Sequence, residues 1–208
     1  MPPLEFASPT TFYTLVRFGR WKEMLAEPAP PADLRFTRGM WHWARGMAFN
    51  AAGKAAEARA ARDSVKAIAK AIPPDAMVSY NSSAALLRLA GHLLNGDLAA
   101  KRGKVDEAVR HYKSAIAEES VLHYDEPPGW FLPVRQLMGA TLLKAGRIAA
   151  AETAYREDLE RNPENGWSLY GLAQCLRAGK KPDQAAEVEA RFKKAWGRAD
   201  VTLSASRF

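Results

Sequence analysis

Few residues in this chain have the type and spacing that chemistry requires. His123, Asp125 and Glu126 fall within four positions of one another. An imidazole with two carboxylates is a competent donor set for zinc or manganese, and His111 lies one predicted helix earlier. Three such residues in one short loop rarely converge without a fourth ligand from elsewhere. The same residues also suit a plain loop, in which Asp125 and Glu126 cap or pair while Tyr124 and Trp130 pack around prolines. No Ser-His-Asp set, HExxH motif or phosphate-binding glycine loop occurs. His42, between Trp41 and Trp43, reads as a packed helix residue, and His92 likewise. Cys175 is the one cysteine; flanked by Gln174 and Leu176, it reads as a small buried apolar residue rather than a nucleophile. With no second cysteine it has no intrachain disulfide and no CxxC metal pair. The expectation is a non-enzyme with no catalytic residue and no cofactor, with His123, Asp125 and Glu126 as the only alternative metal set.

Composition narrows the scaffold. Hydrophobic residues make up 48% of the 208, enough to fold rather than stay disordered. Much of that share is alanine in runs such as Ala149-Ala150-Ala151, the best helix former and one that lets helices approach closely. No segment alternates β-branched and polar residues, so the class is all-α. The net charge of +7 is spread along the chain and interleaved with Glu and Asp, as on a solvated surface. The densest basic spots, Lys101-Arg102-Gly103-Lys104 and Lys180-Lys181, coincide with predicted turns, where cations favour the negative helix end. No run nears the ~18 apolar residues of a membrane span. The first residues lack the basic-then-apolar pattern of a signal peptide, so a cytoplasmic location is the default.

The elements that would position these residues come in pairs. Gly19, Gly53, Gly103 and Gly146 each follow one amphipathic stretch and precede another. The fifth turn, Gly179-Lys180-Lys181, carries one extra residue, so its aligned position is Lys180. Positions 19, 53, 103, 146 and 180 are separated by 34, 50, 43 and 34 residues. Five units follow, at about 1–31, 32–74, 75–121, 134–163 and 165–196, with a loop insertion at 122–133 and a tail at 197–208. Thr10 or Thr11 is expected to cap the first helix. Asp75 is expected to cap an extended helix from Ala76 to Lys101, with Asn81-Ser82-Ser83 as an interruption or restart. The loop holds three prolines and three aromatics, and is expected to pack in order on the helices. The tail is expected to cap the last pair or fray.

The clearest unit is Val134–Pro163. Leu137, Gly139, Leu142 and Leu143 form one stripe, Gly146 makes the turn, and Ala151, Ala154, Tyr155 and Leu159 form a second stripe before Pro163. This resembles a tetratricopeptide repeat (TPR), whose period is 34 residues. The stretches Leu15–Trp21, Trp41–Gly46, Tyr124–Trp130, Tyr155–Leu159 and Asn162–Trp167 further resemble the C-terminal half of larger bacterial TPR proteins without an assigned activity. The resemblance implies an α-solenoid of about five antiparallel helix pairs in a right-handed superhelix, its inner wall lined by the first helix of each pair. Counting from the turns, the wall comprises Tyr13, Met40, Trp43, Met47, Asn50, Asp97, Lys101, Gln136, Lys144, Trp167, Tyr170, Gln174 and Arg177. Such a wall suits a protein segment with an apolar anchor and an acidic group, although Trp43, Met47 and Trp167 serve equally as core between repeats. Tyr124, Asp125, Glu126 and Trp130 supply a second surface on the loop. No first helix has the Lys-x-x-x-Asn or Lys-x-x-x-Arg pattern that clamps a chaperone tail. The leading expectation is a protein-interaction scaffold with a protein or peptide partner, or a second copy of the chain. The alternatives are a domain of a larger metal-dependent or catalytic protein, and a weak nucleic-acid binder.

Overall fold

A computed structural model describes Glu5 and residues 7–207. Among the described residues the structure holds ten helices: α1 (Thr10–Arg17), α2 (Trp21–Ala26), α3 (Arg35–Ala51), α4 (Ala55–Ala71), α5 (Ser83–Lys101), α6 (Val105–Ser120), α7 (Val134–Lys144), α8 (Ile148–Arg161), α9 (Gly166–Ala178) and α10 (Pro182–Ala195). One two-stranded hairpin, β1 (Met77–Val78) and β2 (Asn81–Ser82), precedes α5. The architecture is all-α and built from helix pairs. The chain divides into two compact units, the first ending at Leu132 and the second starting at Pro133.

Five hairpin turns share one hydrogen-bond pattern. Arg20, Lys54, Lys104, Arg147 and Lys181 donate their backbone N–H to the carbonyl five residues back, at 2.8–3.0 Å. The preceding residue donates to the carbonyl three back. This is the Schellman closure, which needs a left-handed residue just past the helix end. Gly19, Gly53, Gly103 and Gly146 supply it at φ 63°, 76°, 73° and 73°. In the fifth turn it is Lys180, at φ 59°, that takes the left-handed place. The extra residue therefore shifts the demanding conformation off Gly179 and onto a side chain that bears a cost there.

In the first unit, α3 packs on α4, α5 on α6, and α3 and α4 on α5, while α1 and α2 pack against α3. The core is Phe36, Met40, Trp43, Leu86, Leu89, Leu93 and their neighbours. Two capping expectations are corrected. The residue before α1 is Pro9, and Thr10 instead donates its hydroxyl to the Ala7 carbonyl at 2.7 Å. The third pair's first helix starts at Ser83 rather than Ala76, because residues 77–82 pair as a hairpin and Ser82, not Asp75, caps by accepting from Ala85 N. The loop after α6 folds back on its own unit. Asn81 clasps His123 by accepting from its N–H at 2.8 Å and donating to its carbonyl at 3.2 Å. Trp130 sets its ring edge on Trp43 at 5.4 Å, and Phe131 stacks on Tyr13 at 4.1 Å.

In the second unit, α7 packs on α8, α9 on α10, and both α7 and α8 pack on α9. Tyr155 of α8 is fully buried between two glycines. A Cβ on Gly139 would stand 2.7 Å from its ring, and one on Gly171 2.2 Å from it. Residues 201–207 do more than cap the last pair. Trp196 Nε1 donates to the Val201 carbonyl, and Ser206 then reaches Gln136 of α7 and Tyr155 of α8.

Two stability outcomes follow. Lys180→Gly should raise stability by about 0.5–1 kcal/mol by relieving the left-handed backbone. Gly171→Ala should lower it by about 1–3 kcal/mol, since the clamped Tyr155 ring cannot withdraw and overpacking outweighs alanine's helix preference. Thermal unfolding followed by circular dichroism checks both, and shifts of the opposite sign would refute the assignments.

Candidate functional site

A concavity lies in the first unit, between α1 and the loop after α6. Thr10, Tyr13, Thr14 and Arg17 follow i, i+3, i+4, i+7 spacing and so share one face of α1. Opposite them run Asp125, Pro127, Pro128, Gly129 and Phe131, with Phe36 and Val78 completing a cleft of about 230 Å3 and Phe18 at its margin. The stacked Tyr13–Phe131 pair fixes one wall, and burial pushes the Tyr13 phenol well up from its ordinary value, so it stays protonated. The Glu126–Pro127 bond is cis. Gly129 is needed here because a Cβ would stand 2.8 Å from the Asn81 amide that holds the loop. Phe18 is 43% exposed, a large apolar surface beside an apolar cleft.

The loop residues divide by role. Trp130 is buried and donates its indole N–H to the Leu132 carbonyl at 2.7 Å, so it anchors the loop rather than facing outward as the partner surface expected of it. Tyr124 is 81% exposed and hydrogen-bonds the Glu126 carboxylate. Asp125 accepts from the Glu126 N–H at 3.0 Å and lines the cleft. His123, Asp125 and Glu126 do not converge as ligands, and no three His, Cys, Asp or Glu side chains group for a metal ion among the described residues.

The expected inner-wall residues also divide. Met40, Trp43, Met47, Asp97, Gln136 and Trp167 are buried. Trp43 carries Trp130 and Phe131 on its ring. Tyr112 donates to Asp97 at 2.5 Å, Gln136 donates to the Ser206 carbonyl at 2.9 Å, and Trp167 meets Trp196 edge-on at 5.5 Å. These side chains fill the space that helical counting assigned to a partner, because counting gives direction but not what stands opposite. Tyr13 and Asn50 are half-buried, as is Tyr170, which packs on Phe192. Lys101, Lys144, Gln174 and Arg177 are exposed. Lys101 donates to the Ala51 carbonyl, and Arg177 forms a forked pair with Glu189 at 2.5 and 2.6 Å. Of the cleft, sequence reasoning reached Tyr13 and Asp125 but missed Arg17, Phe18 and Phe131. The face shared by Thr10, Tyr13, Thr14 and Arg17 was the signal available.

The basic turns are engaged with their own surface. Arg102 and Lys104 both pair with Glu107, and Lys181 pairs with Glu152. The Lys181 ammonium, together with Arg156, holds the Glu152 carboxyl below its usual range. Cys175 is fully buried, and burial pushes its thiol up to about 12, so it is not a thiolate at neutral pH. Among the described residues no helix is long and apolar enough to cross a membrane.

Two imidazoles give a pH dependence. Burial, then neighbouring His92, lowers His111 from its ordinary 6.5. Burial, then Arg38 and Arg45, lowers His42. The folded state resists protonating either group. Stability is therefore full above the unfolded value of 6.5 and falls as pH drops below it, where the unfolded chain takes the proton first. The melting temperature should decline between about pH 7.5 and 5, and His42→Gln with His111→Gln should flatten that decline. An unchanged slope in the double variant would count against this assignment.

Comparison with known families matches residues 137–200, which run from within α7 through α10, to the tetratricopeptide repeat. A comparison with curated proteins finds no match. Repeats of this family generally mediate protein–protein interaction. The matched segment and the paired helices together make this a tetratricopeptide-repeat-containing protein.

Proposed function

We propose that this protein is a non-catalytic interaction module whose first unit binds a segment of a partner protein in the cleft between α1 and the Tyr124–Pro133 loop. The observation that carries the reading is the cleft's make-up. Phe18 and Phe131 offer apolar surface over the buried Phe36, while Arg17 and Asp125 stand among the lining residues. A side chain such as Leu or Phe fills such a depression and leaves its flanking backbone over the polar margin. Asn81, Trp130 and the Tyr13–Phe131 stack hold the loop in advance, which lowers the ordering cost of binding. The match to tetratricopeptide repeats supports protein recognition as the general activity.

The test is selection of a displayed peptide library on the intact chain, followed by affinities for variants. Phe18→Asp, at an exposed position, should weaken the selected peptides at least about tenfold, the loss of one well-seated contact, with unchanged circular dichroism. Asp125→Lys should change which flanking charges are selected. Peptides that bind both variants as tightly as the parent would remove the cleft from consideration. Sensitivity to Tyr170→Ala alone would move the seat to the second unit.

A further inference from the structure

The second unit already holds a non-helical segment of its own chain. Residues 201–207 leave α10 after Trp196, and two of their side chains are buried, Leu203 and Ser206, while Thr202, Ser204 and Ala205 are exposed. Trp196 Nε1 donates to the Val201 carbonyl at 2.6 Å, Gln136 Nε2 donates to the Ser206 carbonyl at 2.9 Å, and the Ser206 and Tyr155 hydroxyls are hydrogen-bonded.

The receiving groups are set by a buried network rather than by the segment. Asn165 Oδ1 accepts from Trp167 N, which aims its amide nitrogen at Asp158 Oδ2 (2.8 Å) and Gln136 Oε1 (3.2 Å). Asp158 is held in turn by Ser168 at 2.5 Å and Asn162 at 3.0 Å. Gln136 Oε1 is thereby committed as an acceptor, so Nε2 must donate, and it points at a backbone carbonyl. A fixed donor for a main-chain carbonyl serves any extended peptide. Tyr155 supports the same view. Its counterpart in the third hairpin, nine residues after Gly103, is Tyr112, which finds its acceptor, Asp97, within its own hairpin. The position matching Asp97 in the fourth hairpin is Ala140, so Tyr155 is completed from outside, by Ser206.

We propose that residues 201–207 are a built-in occupant of a peptide site formed by Gln136, Tyr155 and the adjoining α7–α9 surface. A partner segment of the same chemistry displaces them: non-helical backbone that bends after a large aliphatic side chain, and a small hydroxyl residue three positions on. The proposal shares with the preceding section only the premise that the repeats bind protein segments. It concerns a different site, and its test leaves the first-unit cleft intact. Anchorage through two buried side chains is weak against the entropy of ordering seven residues, which makes such an occupant exchangeable.

The probe is a labelled peptide of sequence ADVTLSASR, residues 199–207, titrated against the full chain. Leu203→Asp with Ser206→Asp should eject the resident segment and raise affinity for the peptide at least about tenfold over the parent chain, by removing internal competition. The same peptide with aspartate in place of its leucine should not bind. A folded double variant that binds no better than the parent overturns the proposal. A second measurement does not depend on that variant folding. In an otherwise native chain, the thiol introduced by Ser206→Cys should react with a thiol reagent about a hundredfold faster than buried Cys175, which reports opening of the core. Equal rates would mean that the segment leaves only when the unit unfolds, making it a fixed cap.

Discussion

The contact on which each unit depends is a tyrosine ring seated directly on helix backbone. Tyr112 lies on Gly96 and Tyr155 lies on Gly139 and Gly171, where even one added carbon would stand 2.2–2.7 Å from the ring. The rings are fully buried, so they cannot yield. A glycine here gives up helix preference and gains the closest possible approach of two helices. The ring then sets how closely its own helix approaches the one that carries the glycine. Tyr155 does this twice over, touching both α7 and α9. Burial carries a requirement of its own, since a buried phenol needs a hydrogen-bond partner. That requirement links packing to the polar interior, through Asp97 in one unit and Ser206 in the other.

The turns obey an equally strict rule. Each closes with the same pair of backbone bonds and so demands one left-handed residue. Four turns use glycine, and the fifth uses Lys180. A basic residue follows every one of these positions, where its backbone N–H closes the turn and its side chain reaches solvent or a nearby carboxylate. The excess positive charge thus owes much to turn construction. Its most concentrated members are paired with Glu107 and Glu152. Such exposed pairs contribute little stability each, but they describe a surface balanced against itself.

Irregular segments shape the proposed recognition sites in both units. In the first, the loop is locked by an asparagine clasp, an indole hydrogen bond and ring contacts, and the wall it raises faces α1. In the second, a non-helical stretch lies on helices and is met by a glutamine whose orientation is dictated from behind. The helices supply rigid backing and the non-helical chain supplies shape. This division is the usual one for binding proteins built from repeats.

Helix pairing was legible in the sequence because its causes are local. Glycine spacing marked the turns, including the shift to Lys180, and apolar stripes marked the buried faces of α7 to α10. The loop's prolines and aromatics likewise announced an ordered insertion. The partners of those faces could not be read, because they come from distant parts of the chain. Met40, Trp43 and Trp167, which counting assigned to an inner wall, are buried, with Trp130 on Trp43 and Trp196 on Trp167. Residues 77–82 left the helix for a hairpin because Ser82 caps α5 and Asn81 is held by His123, forty-two positions away. Periodicity reports which way a side chain faces. Only the folded chain decides whether solvent, a partner or another part of the same molecule stands there.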